Sequence, residues 1–260
     1  MNNSGEARSV SSNLLGVRIH SVGIDGVLAQ VAKCIEDEQG GLIANVNIHA
    51  MNLAWKDVRY RQILNTADLV FVDGAGVVLG AKIAGVKVGD RMTPADWVDA
   101  LFEMCTSRHW PVYWLGDTEE VGAAFEHRVR ARHPQCPFAG RSQGYFDHFG
   151  ADGEAVAQGI RDSGARVLLV GMSMPLQEKW IARHQTKLGP MACLAVGGLA
   201  RIYTGHIRRG PPWMTDHGLE WLYRLAMQPR YTWRRYLLGN PAFLLRVLLF
   251  RFGLIHPPHG

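Results

Sequence analysis

The chain reads as an α/β protein with a mostly parallel sheet and flanking helices, followed by a basic helical tail, and three observations predict this. Over the first two hundred residues, short apolar runs alternate with stretches of helical spacing, the rhythm of βαβ units. Most of those runs end in Gly, Asp or Asn, which turn the chain and leave polar groups at the strand ends. Beyond Gly205 the character changes. Between residues 218 and 253 six arginines stand against one acid, a surplus equal to the formal net charge of +5 of the whole chain.

The first expected strand covers residues 41–47, Gly-Leu-Ile-Ala-Asn-Val-Asn. Asn45 and Asn47 at its end, with His49 close behind, offer amides suited to sugar hydroxyls or a uracil edge, although each alone would also serve a turn. The second strand, residues 69–73, closes in Asp73 and is followed at once by Gly74-Ala-Gly76. Ligands in open α/β sheets bind at the carboxyl ends of strands, so Asp73 stands where a general base or a sugar-binding acid is useful. Its plainer role is a helix cap. Arg91-Met-Thr-Pro-Ala-Asp96 then opens a helix over residues 94–106, with Thr93 as cap and Pro94 at the first position. Arg91 suits a phosphate or carboxylate, and Asp96 either the pocket or the helix dipole.

Strands follow at residues 112–116, 167–171 and 193–197, and helices at 119–133, 153–163 and 177–188. The strand at 167–171 runs into Met172-Ser-Met-Pro-Leu-Gln177-Glu178, a turn and a proline-led helix start. The helix dipole alone accounts for Glu178; Gln177 beside it is a candidate for substrate binding.

His206-Ile-Arg-Arg-Gly-Pro-Pro-Trp213 breaks the αβ repeat, which divides the chain into a core at 1–205 and an appendage at 206–260. Pro229 and Asn240-Pro241 split the appendage into two or three short helices. Its last piece, residues 243–255, is too short and too charged to span a bilayer and reads as an interfacial amphipathic helix; packing on the core is the plainer alternative. Such a segment also invites self-association.

The remaining composition works by exclusion. Four cysteines lie far apart with no CxxC spacing, as in a protein of a reducing compartment without structural zinc. The polar start, Met1-Asn-Asn-Ser-Gly-Glu, has no apolar stretch of the secretory kind, which favours the cytoplasm. GxGxxG after the first strand, the Walker lysine, GxSxG and HExxH are all missing, as is the DxD pair that holds a nucleotide-sugar metal. We therefore expect no cofactor and no metal. An arginine- and aromatic-rich tail also suits a non-catalytic membrane- or nucleic-acid-binding protein, but that leaves the polar strand ends of a neutral core without a purpose.

Taken in order, the motifs resemble the WecG/TagA/CpsF family of bacterial glycosyltransferases. They are Asn45-Val-Asn47, Asp73-Gly-Ala-Gly76, Arg91 to Asp96, Pro175-Leu-Gln-Glu178, Arg209-Gly-Pro211, Gly218-Leu-Glu-Trp221, Tyr223-Arg-Leu225 and Arg234-Arg-Tyr236. The resemblance implies a Rossmann-like core whose C-terminal appendage approaches the inner face of the cell membrane and closes the active site. It implies inverting transfer of a sugar from a nucleotide diphosphate, usually a UDP-sugar, onto a polyprenyl-diphosphate-linked sugar in polysaccharide or envelope-glycan assembly. Asp73 would be the general base, with Asn45, Asn47, Arg91, Asp96, Gln177 and Arg209 binding substrate. Arg224 and Arg234 would neutralise the leaving diphosphate without a metal, and no nucleic acid would be bound. Three departures stand out: Asn45 replaces a frequent threonine, Ala200-Arg201 a common Phe-Asp, and Tyr231 an expected arginine, with Arg230 next to it.

Overall fold

The structure is a computed structural model and describes residues 10–258. Residues 1–9 and 259–260, which the expected division into 1–205 and 206–260 includes, lie outside the described residues. A hairpin of β1 (Ser11–Leu14) and β2 (Val17–His20) opens the chain and precedes α1 (Ile24–Glu36). Then come β3 (Gly41–Val46), α2 (Ile48–Lys56), α3 (Val58–Thr66), β4 (Leu69–Val72), α4 (Ala75–Ala84) and α5 (Pro94–Arg108). The second half holds β5 (Val112–Gly116), α6 (Glu119–Arg132), β6 (Phe138–Ser142), α7 (Ala151–Asp162), β7 (Val167–Gly171), α8 (Leu176–Leu188), β8 (Ala192–Ala195) and α9 (Leu199–Tyr203).

Six strands form one parallel sheet in the order β4-β3-β8-β7-β5-β6. Successive side chains of the central strands point to opposite faces, and each face has its own core. Leu42, Ala44, Val46, Val70 and Val72 pack beneath α2, α3, α4 and α8, whereas Ile43, Leu69, Phe71, Trp114 and Leu194 pack beneath α1, α5 and α6. Burial on both faces explains why these strands read as continuous apolar runs. All five strands expected from sequence are present. β1, β2 and β6 are further strands beyond the five expected. β6, Phe-Ala-Gly-Arg-Ser, is half-buried throughout at the sheet edge and so lacks an apolar signature.

The tail consists of α10 (Pro212–Asp216), α11 (Glu220–Met227), α12 (Pro229–Trp233), a π-helical turn (Arg234–Leu238) and α13 (Gly239–Arg251). Pro229 begins α12, and Pro241 sits in the first turn of α13, where a missing N–H costs little. Phe243 and Val247 of α13 are fully buried in the core beside α4. Gly80 makes that approach possible, because a Cβ there would come within 2.6 Å of the Phe243 ring. Asn52 of α2 clasps the other side, donating to the Gly239 carbonyl at 2.9 Å and accepting from Arg246 at 2.5 Å. The last helix is thus part of the core on one face. No helix among the described residues is long and apolar enough to cross a membrane.

Candidate active site

Parallel strands end on one side of the sheet, and the register of β3 and β4 decides what meets there. Val46 lies opposite Val72, and the Asp73 N–H donates to the Val46 carbonyl at 2.9 Å, so Asn47 and Asp73 leave their strands side by side. Met92 donates to the Val72 carbonyl at 2.9 Å and brings Arg91 alongside. Above these ends lies a cavity of about 880 Å³, walled on the sheet side by Asn45, Asn47, Asp73 and Arg91. Its far wall comes from the tail, through Arg209, Glu220, Trp221, Arg224, Arg235 and Tyr236. Gly218, at φ +72°, turns the chain into α11, and a Cβ on it would come within 2.8 Å of Ala75 on α4.

Asp73 forms part of the cavity floor. Burial pushes its carboxyl up to about 7, against the pull of Arg224, the Asn47 side chain and Arg235, while Glu220 adds to the rise. A carboxylate that takes a proton near neutrality is suited to general-base work. His49, also lining the cavity, is driven down to about 4 by burial and by Arg235, which leaves its ring neutral.

The amides are held by the scaffold. Asn45 is buried and donates to the Ala195 carbonyl at 2.7 Å, tying β3 to the end of β8. Asn47 caps α2, accepting from the Ala50 N–H at 3.1 Å. Gln177 lies beneath the cavity wall rather than in it. It is fully buried, accepts from the Gly197 N–H at 3.0 Å and donates to Glu178 at 2.9 Å. Gly197 does face the cavity, so Gln177 shapes it from behind. Burial pushes the Glu178 carboxyl up to about 7 against the hydrogen bond from Gln177.

The charged groups form a network across the opening. Arg209 donates to Asp96 at 2.8 Å, and Asp96 also accepts from the Thr93 N–H at 2.8 Å. Burial alone would raise the Asp96 carboxyl, but the Thr93 N–H, Arg209 and Arg91 outweigh it and hold it below the usual range. Asp96 anchors arginines and caps α5 without lining the cavity. Glu220 faces Arg224 at 3.2 Å, Arg91 at 3.8 Å and Arg209 at 4.0 Å.

One expected residue is displaced by a single position. Arg234 is exposed and stacks over Trp233 at 5.2 Å, whereas Arg235 lines the cavity. The π-helical turn is the reason, because its wider coil shifts which side chain faces inward. Arg230 is exposed and does not line the cavity; the Tyr231 side chain lies outside what is described. Arg201 makes a two-pronged bond to Asp117 at 2.5 and 2.7 Å, joining the end of β5 to α9. Glu220 and Arg235 were missed by sequence reasoning, although the Gly-Leu-Glu-Trp and Arg-Arg-Tyr motifs contain them. Among the described residues, no group of three or more His, Cys, Asp or Glu is gathered to hold a metal.

A buried floor carboxylate facing a wall of guanidiniums is an arrangement suited to an anionic substrate on an α/β scaffold. Residues 12–256 match the sequence model of the Glycosyl transferase WecG/TagA/CpsF family, and the chain belongs to that family of glycosyltransferases. It is similar to the N-acetylglucosaminyldiphosphoundecaprenol N-acetyl-beta-D-mannosaminyltransferase of Bacillus subtilis (strain 168), at 27% identity over 82% of this chain and 81% of the relative. The protein of the same name from Staphylococcus aureus (strain MRSA252) is 28% identical over 79% of this chain and 78% of its own length.

Proposed function

We propose that the protein transfers a sugar from a nucleotide-diphosphate donor, a UDP-sugar, onto a polyprenyl-diphosphate-linked sugar by one inverting displacement. Asp73 accepts the proton of the acceptor hydroxyl as that oxygen attacks the anomeric carbon. The bond from that carbon to the diphosphate breaks, and its electron pair leaves with the nucleotide. Arg224, Arg235, Arg91 and Arg209 balance the charge that develops on the diphosphate, so the step calls for no metal. Asn45 and Asn47 set the part of the floor that meets the sugars.

The observation that carries this reading is Asp73 itself, raised to about 7 while guanidiniums face it from the tail. The names of the relatives point to N-acetylmannosamine as the sugar and N-acetylglucosaminyl-diphosphoundecaprenol as the acceptor to try first. The reading also has the protein working at the cytoplasmic face of the membrane. Of fourteen large apolar side chains exposed among the described residues, ten lie in the tail, from Trp213 to Leu254, beside the exposed Arg230 and Arg234.

The test is a panel of UDP- and GDP-sugars offered to the purified protein with a short-chain lipid-diphosphate N-acetylglucosamine. We expect UDP release that depends on the acceptor and is fastest with UDP-N-acetylmannosamine. Equal UDP release without acceptor would make the protein a hydrolase and sink the proposal. Tight, steeply salt-dependent binding of nucleic acid with no turnover would favour a binding module instead.

A further inference from the structure

Where the tail arginines converge, the protein presents an anion of its own. Glu220 opens α11 and is the single acid in residues 218–253, yet its carboxylate faces three guanidiniums from three parts of the chain. One oxygen meets Arg224, four residues along the same helix, at 3.2 Å. The other meets Arg91, beside the end of β4, at 3.8 Å, and Arg209, ahead of α10, at 4.0 Å. Asp96 shares two of these arginines, at 3.9 Å from Arg91 and 2.8 Å from Arg209. A helix-surface ion pair needs one cation. Three aimed at one carboxylate, inside a cavity, form a charge pattern that a diphosphate fills better than a carboxylate does.

We propose that Glu220 is a stand-in for the donor diphosphate: it keeps Arg91, Arg209 and Arg224 trained on one point and yields them when the diphosphate arrives. This rests on the nucleotide-diphosphate reading given above. Asp96 holds Arg209 and Arg91 from one side, and Glu220 joins Arg224 to them against their mutual repulsion, at the cost of competition with the donor. The same carboxylate would take the arginines back as the nucleoside diphosphate leaves, which limits product inhibition. It also repels charge on Asp73, which further faces Arg224 on the same helix, Arg235 from the π-helical turn and the Asn47 side chain at the start of α2.

Glu220→Gln keeps the shape and an acceptor oxygen while removing the charge, and the probes are UDP and inorganic pyrophosphate in calorimetric titrations. Both are expected to bind the variant about 3- to 10-fold more tightly than wild type, the gain from freeing a site that its own carboxylate occupies most of the time. Glu220→Ala is expected to tighten binding as well, and in both variants the acidic limb of the kcat/KM profile moves to lower pH. Unchanged or weaker UDP binding in both variants overturns the proposal. If wild type binds neither probe, the nucleotide-diphosphate reading falls and takes this proposal with it, an outcome visible in the wild-type titration alone.

Discussion

At Asp73 a side chain hung from the end of a strand has traded water for a walled cavity, and both its chemistry and its energetic cost follow from that. Replacing it by Asn should cut transfer by about 10²- to 10⁴-fold, the usual contribution of a positioned general base, with little change in donor binding. Wild-type kcat/KM should fall as pH drops through about 7, where Asp73 of the free protein takes up its proton. Stability moves the other way. The folded-state value lies above the ordinary 3.8, so the folded chain holds a proton that the unfolded chain has released, and stability declines as pH rises from 3.8 to about 7. Glu178, raised from 4.5 to about 7, adds a decline of the same sign. Asp73→Asn should therefore melt higher than wild type at pH 8 and about equally at pH 4; a lower melting temperature at pH 8 would contradict the account. Sequence motifs located Asp73, Asn45, Asn47, Arg91, Arg209 and Arg224, all of which reach the cavity. Gln177, Asp96 and Arg234, expected beside them, do not line it: Gln177 is buried behind Gly197, Asp96 bonds to Thr93 and Arg209, and the π-helical turn presents Arg235 in place of Arg234. A π-helical turn has no signature in Trp-Arg-Arg-Tyr.

Among the elements, the strands were the legible part, since burial on both faces writes a continuous apolar run into each of them. Helices α1 to α4 lie outside the expected ones; α2, α3 and α4 span only 9, 9 and 10 residues, too few turns for helical spacing to stand out. The last helix was read as interfacial, with core packing as the plainer alternative, and the structure gives it a core-packed face through Phe243 and Val247. Its seating depends on the missing side chain at Gly80. Gly80→Val should force the Phe243 ring away from α4, loosen α13 and lower Tm by several degrees, with each kcal/mol lost worth roughly 2–4 °C at this chain length. Limited proteolysis should then cut first in the tail. A variant that melts and digests like wild type would show that α13 is held elsewhere, for instance by Asn52 alone.

Over the whole molecule the tail's charge is divided rather than pooled. Arg224 and Arg235 line the cavity, Arg246 and Arg251 bond to Asn52 and the Ala84 carbonyl, and Arg230 and Arg234 remain exposed. Counting arginines in the sequence gives the total and hides this division of labour. Deleting the tail would strip Phe243 and Val247 from the core and expose the face of α4 that they cover, so membrane binding is better tested on exposed side chains. Leu245→Glu with Leu248→Glu should weaken sedimentation with vesicles containing anionic lipid by about tenfold or more while Tm stays within a degree or two. Unchanged sedimentation would remove α13 from the membrane-facing surface. The two halves of the site also differ in how they are fastened: Asp73 follows a strand of a six-stranded ladder, whereas α11, which supplies Glu220 and Arg224, has no buried residue. Amide hydrogens should therefore exchange slowly in β4 and quickly in α11, and UDP should slow exchange in α11 alone. Ligand occupancy would thus register as a change in the time the tail spends closed, with the floor beneath it serving as an internal standard.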